Sequence, residues 1–198
     1  MERVTHLTIA TRNAGKVDEL RALLSDLPLV LRLADGMPEL EETGSTFSEN
    51  AELKARAAAE WSCGWALADD SGLEVDALNG SPGVHSNRFA GDNTNEADRN
   101  AALLRLLADT PVERRTARYR AAIAIAAPDG RVWISEGCFE GRIVDEARGR
   151  NGFGYDPHFF VPEYGCTVGE MDPALKNRIS HRARAMARAR EILERICR

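Results

Sequence analysis

The stretch "ARYRAAIAIAAPDGRVWISEGCFEGRIV" (residues 117–144) carries the clearest strand pattern in the chain. Two runs rich in apolar and β-branched residues flank Pro128-Asp129-Gly130, a combination typical of a β-hairpin turn. Outward from this hairpin, three further segments have the composition of short buried strands: "HLTIAT" (6–11), residues 29–33 and "WALADD" (65–70).

Helical patterns lie between and after these strands, and cover 14–27, 46–61, about 95–108 and 181–197. The second begins with a capping box, in which Thr46 is the N-cap and Glu49 follows three positions later. The third has Asn93 or Thr94 as its expected cap. Helices alternating with strands, together with one strong hairpin, predict an α/β domain with a mixed β-sheet.

Length and composition indicate one globular domain over residues 1–198, with room for two lobes. The chain is 43% hydrophobic and 29% charged, and its net charge of −5 provides no general basic field for nucleic acid. Its four cysteines have no metal-ligand spacing, which fits a reducing cytoplasm. The N-terminus does not have the pattern of a signal peptide, and no segment is apolar enough to cross a membrane. We therefore expect a cytoplasmic protein.

Four segments contain residues suited to chemistry. The first, "ATRNAGK" (10–16), runs from a strand into a helix, where free backbone N–H groups and Lys16 could hold phosphate. It lacks the first glycine and the Ser/Thr of a Walker A loop, so an ordinary strand–helix turn is the simpler interpretation.

The second segment pairs Asp69-Asp70, at the expected end of a strand, with Glu41-Glu42. Carboxylates suit a hard cation such as Mg²⁺, and one of them could deprotonate water. The alternative is structural: Asp69 would cap a turn and Asp70 would be solvated.

The remaining two segments are "GRNGFGYDPHF" (149–159) and "LKNRISHRARA" (175–185). The first has glycines and aromatic rings on which a base could stack, although a loop packed on the core is the default. The second places cations at the start of a helix, which its dipole disfavours unless an anion binds there. Together the four segments are typical of an enzyme that acts on a nucleoside triphosphate.

Five ordered motifs then give a specific resemblance: "ATRNAGK", "EETGSTFSENAELKA" (41–55), "ADDSGLEVDALNGSPGVHSNRFAG" (68–91), "GFGYDPHF" (152–159) and "KNRISHR" (176–182). The chain resembles the non-canonical purine, or inosine/xanthosine, triphosphate pyrophosphatase family nearly from end to end. His85 and Asn87 depart from the residues usual in that family, outside the positions assigned to chemistry.

The resemblance implies an elongated, two-lobed α/β fold with a central mixed sheet flanked by helices and an active cleft between the lobes. It also implies a homodimer and Mg²⁺-dependent hydrolysis of ITP, dITP and XTP to the monophosphate and pyrophosphate, which cleanses the nucleotide pool. Neither nucleic acid nor a membrane is an expected partner.

Residue roles are carried over with the resemblance. Asp70 is implied to be the proton acceptor and a metal ligand, with Glu41 the second carboxylate, although the choice between Glu41 and Glu42 stays open. Lys54 is a further phosphate contact. The implied substrate-binding residues are Thr11, Arg12, Asn13, Ala14, Gly15, Lys16, Ser71, Phe153, Gly154, Tyr155, Asp156, Lys176, His181 and Arg182, with Tyr155 stacking on the purine.

Two other functions remain open. One is a pyrophosphatase of the septum-formation-inhibitor type, with broader or pyrimidine specificity. The other is a nucleotide sensor without catalysis, which the pair of Glu41 and Asp70 argues against.

Overall fold

The computed structural model describes residues 5–91 and 94–197. The strands are β1 (Thr5–Ile9), β2 (Leu29–Leu33), β3 (Trp65–Val75), β4 (Thr116–Ala126), β5 (Val132–Ile143), β6 (Phe159–Val161) and β7 (Cys166–Thr167). The helices are α1 (Ala14–Leu23), α2 (Phe47–Ser62), α3 (Glu96–Leu106), α4 (Pro173–Ile179) and α5 (His181–Ile196). None of these helices is both long and apolar enough to cross a lipid bilayer.

The strands form one open mixed sheet, in the order β2-β1-β3-β4-β5-β6-β7. Strand β1 is parallel to both of its neighbours, with Ile9 opposite Leu33 of β2 and Leu67 of β3. Strand β6 is antiparallel to β5 and to β7. The α/β fold with a mixed sheet flanked by helices, predicted from the sequence, is confirmed.

The hairpin at 128–130 is also where the sequence predicts it. Strand β4 ends at Ala126 and β5 begins at Val132, and the amide of Ala127 donates to the carbonyl of Arg131 at 2.9 Å to close the turn. Residues 121–126 of β4 are all buried, as expected of a strand covered on both faces.

Strand β3 departs from the prediction in its length. The sequence predicts that it ends at Asp69-Asp70, but it continues to Val75. The continuation is stabilised by burial of Leu73 and Val75, which are inaccessible to solvent. Asp69 and Asp70 therefore lie within a strand. The structural alternative, in which Asp69 caps a turn and Asp70 is solvated, is wrong.

The capping box of α2 is confirmed: Thr46 accepts from the amide of Glu49, whose carboxylate accepts from the amide of Thr46. The cap of α3 is Asn95, which accepts from the amide of Asp98 at 2.9 Å. Thr94 is not the cap because its hydroxyl donates to the carbonyl of Gly91, and Asn93 lies outside the described residues.

The chain forms two compact units, each with its own core. Unit 1 comprises the residues up to Asp70, Ala121–Gly137 and those from His181 onward, and unit 2 comprises Ser71–Arg120 and Cys138–Ser180. The core of unit 1 is built from Leu7, Ile9, Leu20, Leu24, Leu67, Ala121, Ile123, Ile125, Ala185, Met186, Ala189 and Leu193. The core of unit 2 is built from Leu73, Val75, Leu103, Leu107, Ala117, Tyr119, Phe139, Ile143, Tyr155, Phe159, Val161, Val168 and Met171.

Candidate active site

Asp69 and Asp70 are adjacent in β3 and face in opposite directions. Successive side chains of a strand point to opposite faces of the sheet, so two neighbouring carboxylates can take different partners. Both are buried, Asp69 at 1% and Asp70 at 5% exposure. Their separation across the strand explains how two acids can be neighbours in a protein interior without severe repulsion.

Asp69 is held by two cations from distant parts of the chain. Arg182, in the first turn of α5, donates from Nε and Nη2 to the two carboxylate oxygens at 2.9 and 3.3 Å. The Nζ of Lys16, in the first turn of α1, lies 2.8 Å from Oδ1. Arg182 also pairs with Glu19 of α1. Cations in the first turns of α1 and α5 interact unfavourably with the helix dipoles. The anions that balance these cations are carboxylates of the protein itself, those of Asp69 and Glu19.

These charges determine the protonation of Asp69. Burial by itself would raise the pKa of this carboxyl, but the positive charges of Arg182 and Lys16 outweigh it and hold the pKa well below its usual value. Burial likewise opposes the charge on Arg182, but Asp69 and Glu19 raise the pKa of the guanidinium above its usual value. Asp69 is therefore ionised at neutral pH and anchors both cations.

Asp70 has a different environment on the other face of β3. Its Oδ1 lies 2.6 Å from Nζ of Lys54 on α2, and the same ammonium lies 3.0 Å from Oε1 of Glu42. Burial raises the pKa of Asp70, and the charges of Lys54 and Lys16 offset this only in part. For Lys54 burial would lower the pKa, but Asp70 and Glu42 outweigh it, so that the pKa is raised.

The two neighbouring acids thus have pKa values shifted in opposite directions. A carboxylate with a raised pKa is the better proton acceptor, because it is closer to the pH at which it must take up a proton. In addition, Oδ2 of Asp70 is buried and has no hydrogen-bond partner in the described part of the chain. Asp70 is therefore the candidate base, with an acceptor atom left to bind water or a cation.

Glu42 is positioned by the segment that leads into α2. The amide of Gly44 donates to Oδ1 of the buried Asn50 at 2.8 Å, and a Cβ at Gly44 would lie only 2.5 Å from that oxygen. A residue with a side chain would therefore force this segment away from the helix. Glu41, one residue earlier, is exposed, and the residue that meets Lys54 is Glu42.

The turn between β1 and α1 retains the features expected of a phosphate site. Asn13 caps α1 by accepting from the amide of Lys16, and Thr11 accepts from the amide of Asn13. The amides of Ala14 and Gly15 are in the first turn, where a helix has no internal acceptor for them. Backbone donors are available here, whereas the Lys16 ammonium is already paired with Asp69.

In unit 2, the buried carboxylate of Asp156 organises the 152–156 loop. Oδ2 of Asp156 accepts from the amide of Phe153 at 3.0 Å and from Nζ of Lys176 at 2.6 Å, and Oδ1 accepts from the hydroxyl of Tyr119 at 2.9 Å. The same ammonium lies 4.7 Å from the centroid of the Phe153 ring. Gly152 has φ +77°, and a Cβ there would approach Oδ2 of Asp156 to 2.0 Å, so the loop requires glycine.

The two aromatic rings of this loop differ in exposure. Tyr155 is 5% exposed and packs in the core of unit 2, where its hydroxyl donates to the carbonyl of Ser86 at 2.9 Å. Burial raises the pKa of Tyr155 to about 12, which keeps the hydroxyl a donor. Phe153 is half-buried, and the carbonyl of Gly154 accepts from Asn100.

The other predicted site residues take various positions. Arg12 is exposed and donates to the carbonyl of Met37. Ser71 is half-buried and follows Asp70 in β3, and His181 is buried at the start of α5. No group of three or more His, Cys, Asp or Glu side chains within 5–91 and 94–197 is arranged to hold a metal ion.

The sequence profile of the Ham1 family matches residues 7–192, which is nearly the whole chain. The chain belongs to the Ham1 family. A dITP/XTP pyrophosphatase from Desulforamulus reducens is 52% identical over 193 residues and covers 96% of both chains. Another from Geobacter sulfurreducens is 49% identical, covering 93% of this chain and 94% of its own.

Solved structures of the Ham1 family have the same fold. A HAM1 protein from Coxiella burnetii has a TM-score of 0.87 at 42% identity, covering 96% of this chain and 98% of its own. A nucleoside-triphosphatase/dITP/XTP pyrophosphatase from Mycobacterium abscessus has a TM-score of 0.74 at 39% identity, covering 93% and 97%.

The sequence did not indicate Glu19 or Tyr119 as residues of the site of this Ham1 protein, and it indicated Asp69 only as a member of the Asp69-Asp70 pair. The position of Asp69 could have been found from the sequence. The apolar Leu73 and Val75 after it indicate that the strand continues, and the alternation of side chains along a strand then places Asp69 and Asp70 on opposite faces. Glu19 and Tyr119 gave no such signal, because their partners are far away in sequence.

Replacing Asp69 should destabilise the protein strongly. Asp69→Asn leaves Lys16 and Arg182 buried without their shared anion, a loss expected to cost about 3–5 kcal/mol at pH 7 in urea unfolding. Because folding lowers the pKa of Asp69, its contribution is present above the unfolded value of 3.8 and is lost as the pH falls further. The difference between wild type and variant should therefore shrink in acid.

The matched control is Asp129→Asn, which removes an exposed carboxylate that also pairs with an arginine, Arg131. It should leave the unfolding midpoint unchanged. An Asp69→Asn protein as stable as wild type at pH 7 would contradict the anchoring role.

Proposed function

We propose that this chain hydrolyses the non-standard purine nucleoside triphosphates ITP, dITP and XTP to the monophosphate and pyrophosphate. The relatives named dITP/XTP pyrophosphatase support this over more than nine-tenths of the chain. The single observation that carries the chemistry is the contrast between Asp69, ionised and fully paired, and Asp70, whose pKa is raised and whose Oδ2 is unpaired within the described residues.

In this mechanism Asp70 accepts a proton from a water molecule. The water oxygen forms a bond to the α-phosphorus, the bond from that phosphorus to the bridging oxygen breaks, and pyrophosphate leaves with the electron pair. A base within hydrogen-bond reach makes water a better nucleophile, and a carboxylate with a raised pKa suits this role.

We assign the magnesium ligands to Asp70 and Glu42, in preference to Glu41. The donor set fits: both are carboxylates, Mg²⁺ prefers oxygen, and it is usually held by one or two carboxylates together with substrate phosphate. The buried Oδ2 of Asp70, which has no partner among the described residues, supports this choice. The ammonium of Lys54 also supports it, because its contacts with Asp70 and Glu42 show that one cation can reach both carboxylates. Bound Mg²⁺ would neutralise phosphate charge as the reaction proceeds.

Unit 1 would also bind the triphosphate. The first-turn amides of α1 and the segment Thr11–Lys16 would hold phosphate oxygens, with the exposed Arg12 as a flexible cation. Lys16 and Arg182 would act while held by Asp69, so that their charges are fixed in position before substrate arrives. His181 lies beside Arg182 in the same helical turn.

Unit 2 would recognise the base. Phe153, the more accessible of the two rings, would stack on the base, and Tyr155, which the resemblance also implies for stacking, is held in the core of unit 2. Lys176 is a donor-only group, held by Asp156 over Phe153, and would donate to the 6-oxo group of hypoxanthine or xanthine. Adenine presents an amino group at that position, which would leave the donor unpaired and disfavour ATP. Ser71 would contribute a hydroxyl contact.

The wider assignments follow the same family relationship. We propose that residues 1–198 work as one catalytic domain, as a homodimer and in the cytoplasm, and that they cleanse the nucleotide pool. The four free cysteines accord with a reducing compartment, and the net charge of −5 is unfavourable for nucleic acid.

The proposal is tested by the products formed from a set of nucleotides. The protein is incubated with Mg²⁺ and ITP, XTP, dITP, GTP, ATP or dTTP, and pyrophosphate and orthophosphate are measured separately. Pyrophosphate from the first three, with little from ATP or GTP, is the expected result. Broad or pyrimidine turnover would indicate the wider-specificity enzyme, and binding without hydrolysis would indicate a sensor.

The assignment of the acids is tested by variants at neighbouring positions. Asp70→Asn removes the base and should lose at least about 100-fold in kcat, the usual worth of a general base. Glu42→Gln removes a metal ligand and should also lower kcat. Both variants should retain the fold by circular dichroism. Glu41→Gln is the matched control and should behave as wild type, because Glu41 is exposed. The reverse result for the two glutamates would overturn the assignment.

Base recognition is tested at Tyr119. Tyr119→Phe removes the hydroxyl that donates to Asp156 but keeps the ring that stacks on Phe159 at 4.4 Å. Asp156 is then less restrained, and its partner Lys176 is less well placed. We expect KM for XTP to rise several-fold with little change in kcat, because the base contact is the same in the ground state and the transition state.

Tyr164→Phe, which alters an exposed tyrosine, should change neither constant. An unchanged KM in Tyr119→Phe would show that the hydrogen bond from the hydroxyl to Asp156 does not contribute to base recognition.

A further inference from the structure

Lysine is rare in this chain, and every lysine ammonium meets a buried carboxylate. Of the 26 basic residues only three are lysine: Lys16, Lys54 and Lys176. They pair with Asp69, Asp70 and Asp156 respectively, at 2.6 to 2.8 Å. An ammonium is a compact point charge on a flexible stem, and is therefore better able than a guanidinium to move between partners.

Lys54 bridges the two carboxylates assigned above to the metal. Its Nζ lies 2.6 Å from Asp70 and 3.0 Å from Glu42, and its side chain is only 15% exposed. A single positive charge thus lies where a divalent cation would meet both acids. The bridge is incomplete, because Oδ2 of Asp70 remains buried without a partner in the described part of the chain.

Charge considerations oppose having both cations there at once. Two carboxylates and one ammonium sum to −1, and two carboxylates with a divalent cation sum to zero. An ammonium retained beside the metal would give +1 in a poorly solvated site, where like charges repel strongly. Lys54 has four methylene groups and can move its ammonium without moving α2.

We propose that Lys54 is an internal counter-cation that occupies the metal position in the free protein and gives it up when metal and triphosphate bind. This rests on the proposed function. The ammonium released from Asp70 and Glu42 pairs with the triphosphate, so the cost of displacing it is recovered only when nucleotide is present. Metal and nucleotide therefore strengthen each other's binding, and metal alone binds weakly.

The test is direct binding of Mn²⁺ to nucleotide-free protein. The concentration of free Mn²⁺ is measured by electron paramagnetic resonance. Lys54→Met removes the competing charge and should tighten Mn²⁺ binding at least about tenfold, which corresponds to about 1.4 kcal/mol. Lys54→Arg keeps the charge and should bind Mn²⁺ as weakly as wild type. Binding to Lys54→Met that is no tighter than to wild type, or is undetectable in both, would overturn the proposal.

A second measurement follows the side chain of Lys54 in the wild-type chain. Selective ¹³C/¹⁵N-lysine labelling of the wild-type chain gives signals from only three lysines, and the Lys54 signal is the one absent from Lys54→Arg. Added Mg²⁺ should shift the Lys54 signal and leave in place that of Lys176, which pairs with Asp156. A Lys54 signal that does not move at metal concentrations sufficient for binding would contradict the displacement.

Failure of this proposal is distinguishable from failure of the proposed function. Both measurements are made without nucleotide, whereas the function is judged by pyrophosphate release from ITP and XTP. A wild-type protein that releases no pyrophosphate overturns the function, and the Mn²⁺ comparison still decides the role of Lys54.

Discussion

The buried charge of Asp69 is the constraint on which the candidate site depends. It joins β3 to the first turn of α1 through Lys16 and to the first turn of α5 through Arg182. Arg182 lies 113 positions after Asp69 in the sequence. An isolated charge in this environment would be very costly, so the three elements are stabilised only in the arrangement that keeps the ions together. The same arrangement fixes the start of α1, where the proposed phosphate donors lie.

The strand geometry turns one pair of acids into two different groups. Because side chains alternate across β3, Asp69 faces two strong cations while Asp70 faces one lysine that it shares with Glu42. The first acid stabilises structure and the second remains suited to chemistry. A buried acceptor atom without a partner is unfavourable for stability, and a catalytic or ligand-binding role is one reason for a protein to retain such a group.

The contacts of lysine and arginine match this distinction between structural and chemical roles. Arg182 is buried, doubly paired and fixed, as suits a planar group with several donors. The three lysines pair with aspartates in segments that the sequence identified as suited to chemistry, and Lys54 also meets Glu42. In unit 2 the same logic recurs, with Tyr119 and Asp156 holding Lys176 beside an aromatic ring.

Local features of this protein were determined by the sequence alone. The 128–130 hairpin, the Thr46–Glu49 capping box and the apolar face of α5 depend on residues a few positions apart, so the α/β class and the family motifs could be read directly. The length of β3 and the cap of α3 could not, since they depend on burial and on competing local hydrogen bonds.

The contacts of each carboxylate were decided only by the tertiary structure. Sequence could not show which of Glu41 and Glu42 pairs with Lys54, or whether Asp69 caps a turn or anchors two helices. Both answers depend on which cation, contributed by α1, α2 or α5, approaches each carboxylate in the folded chain. Charge interactions act through space, and the distances that control them exist only after the chain has folded.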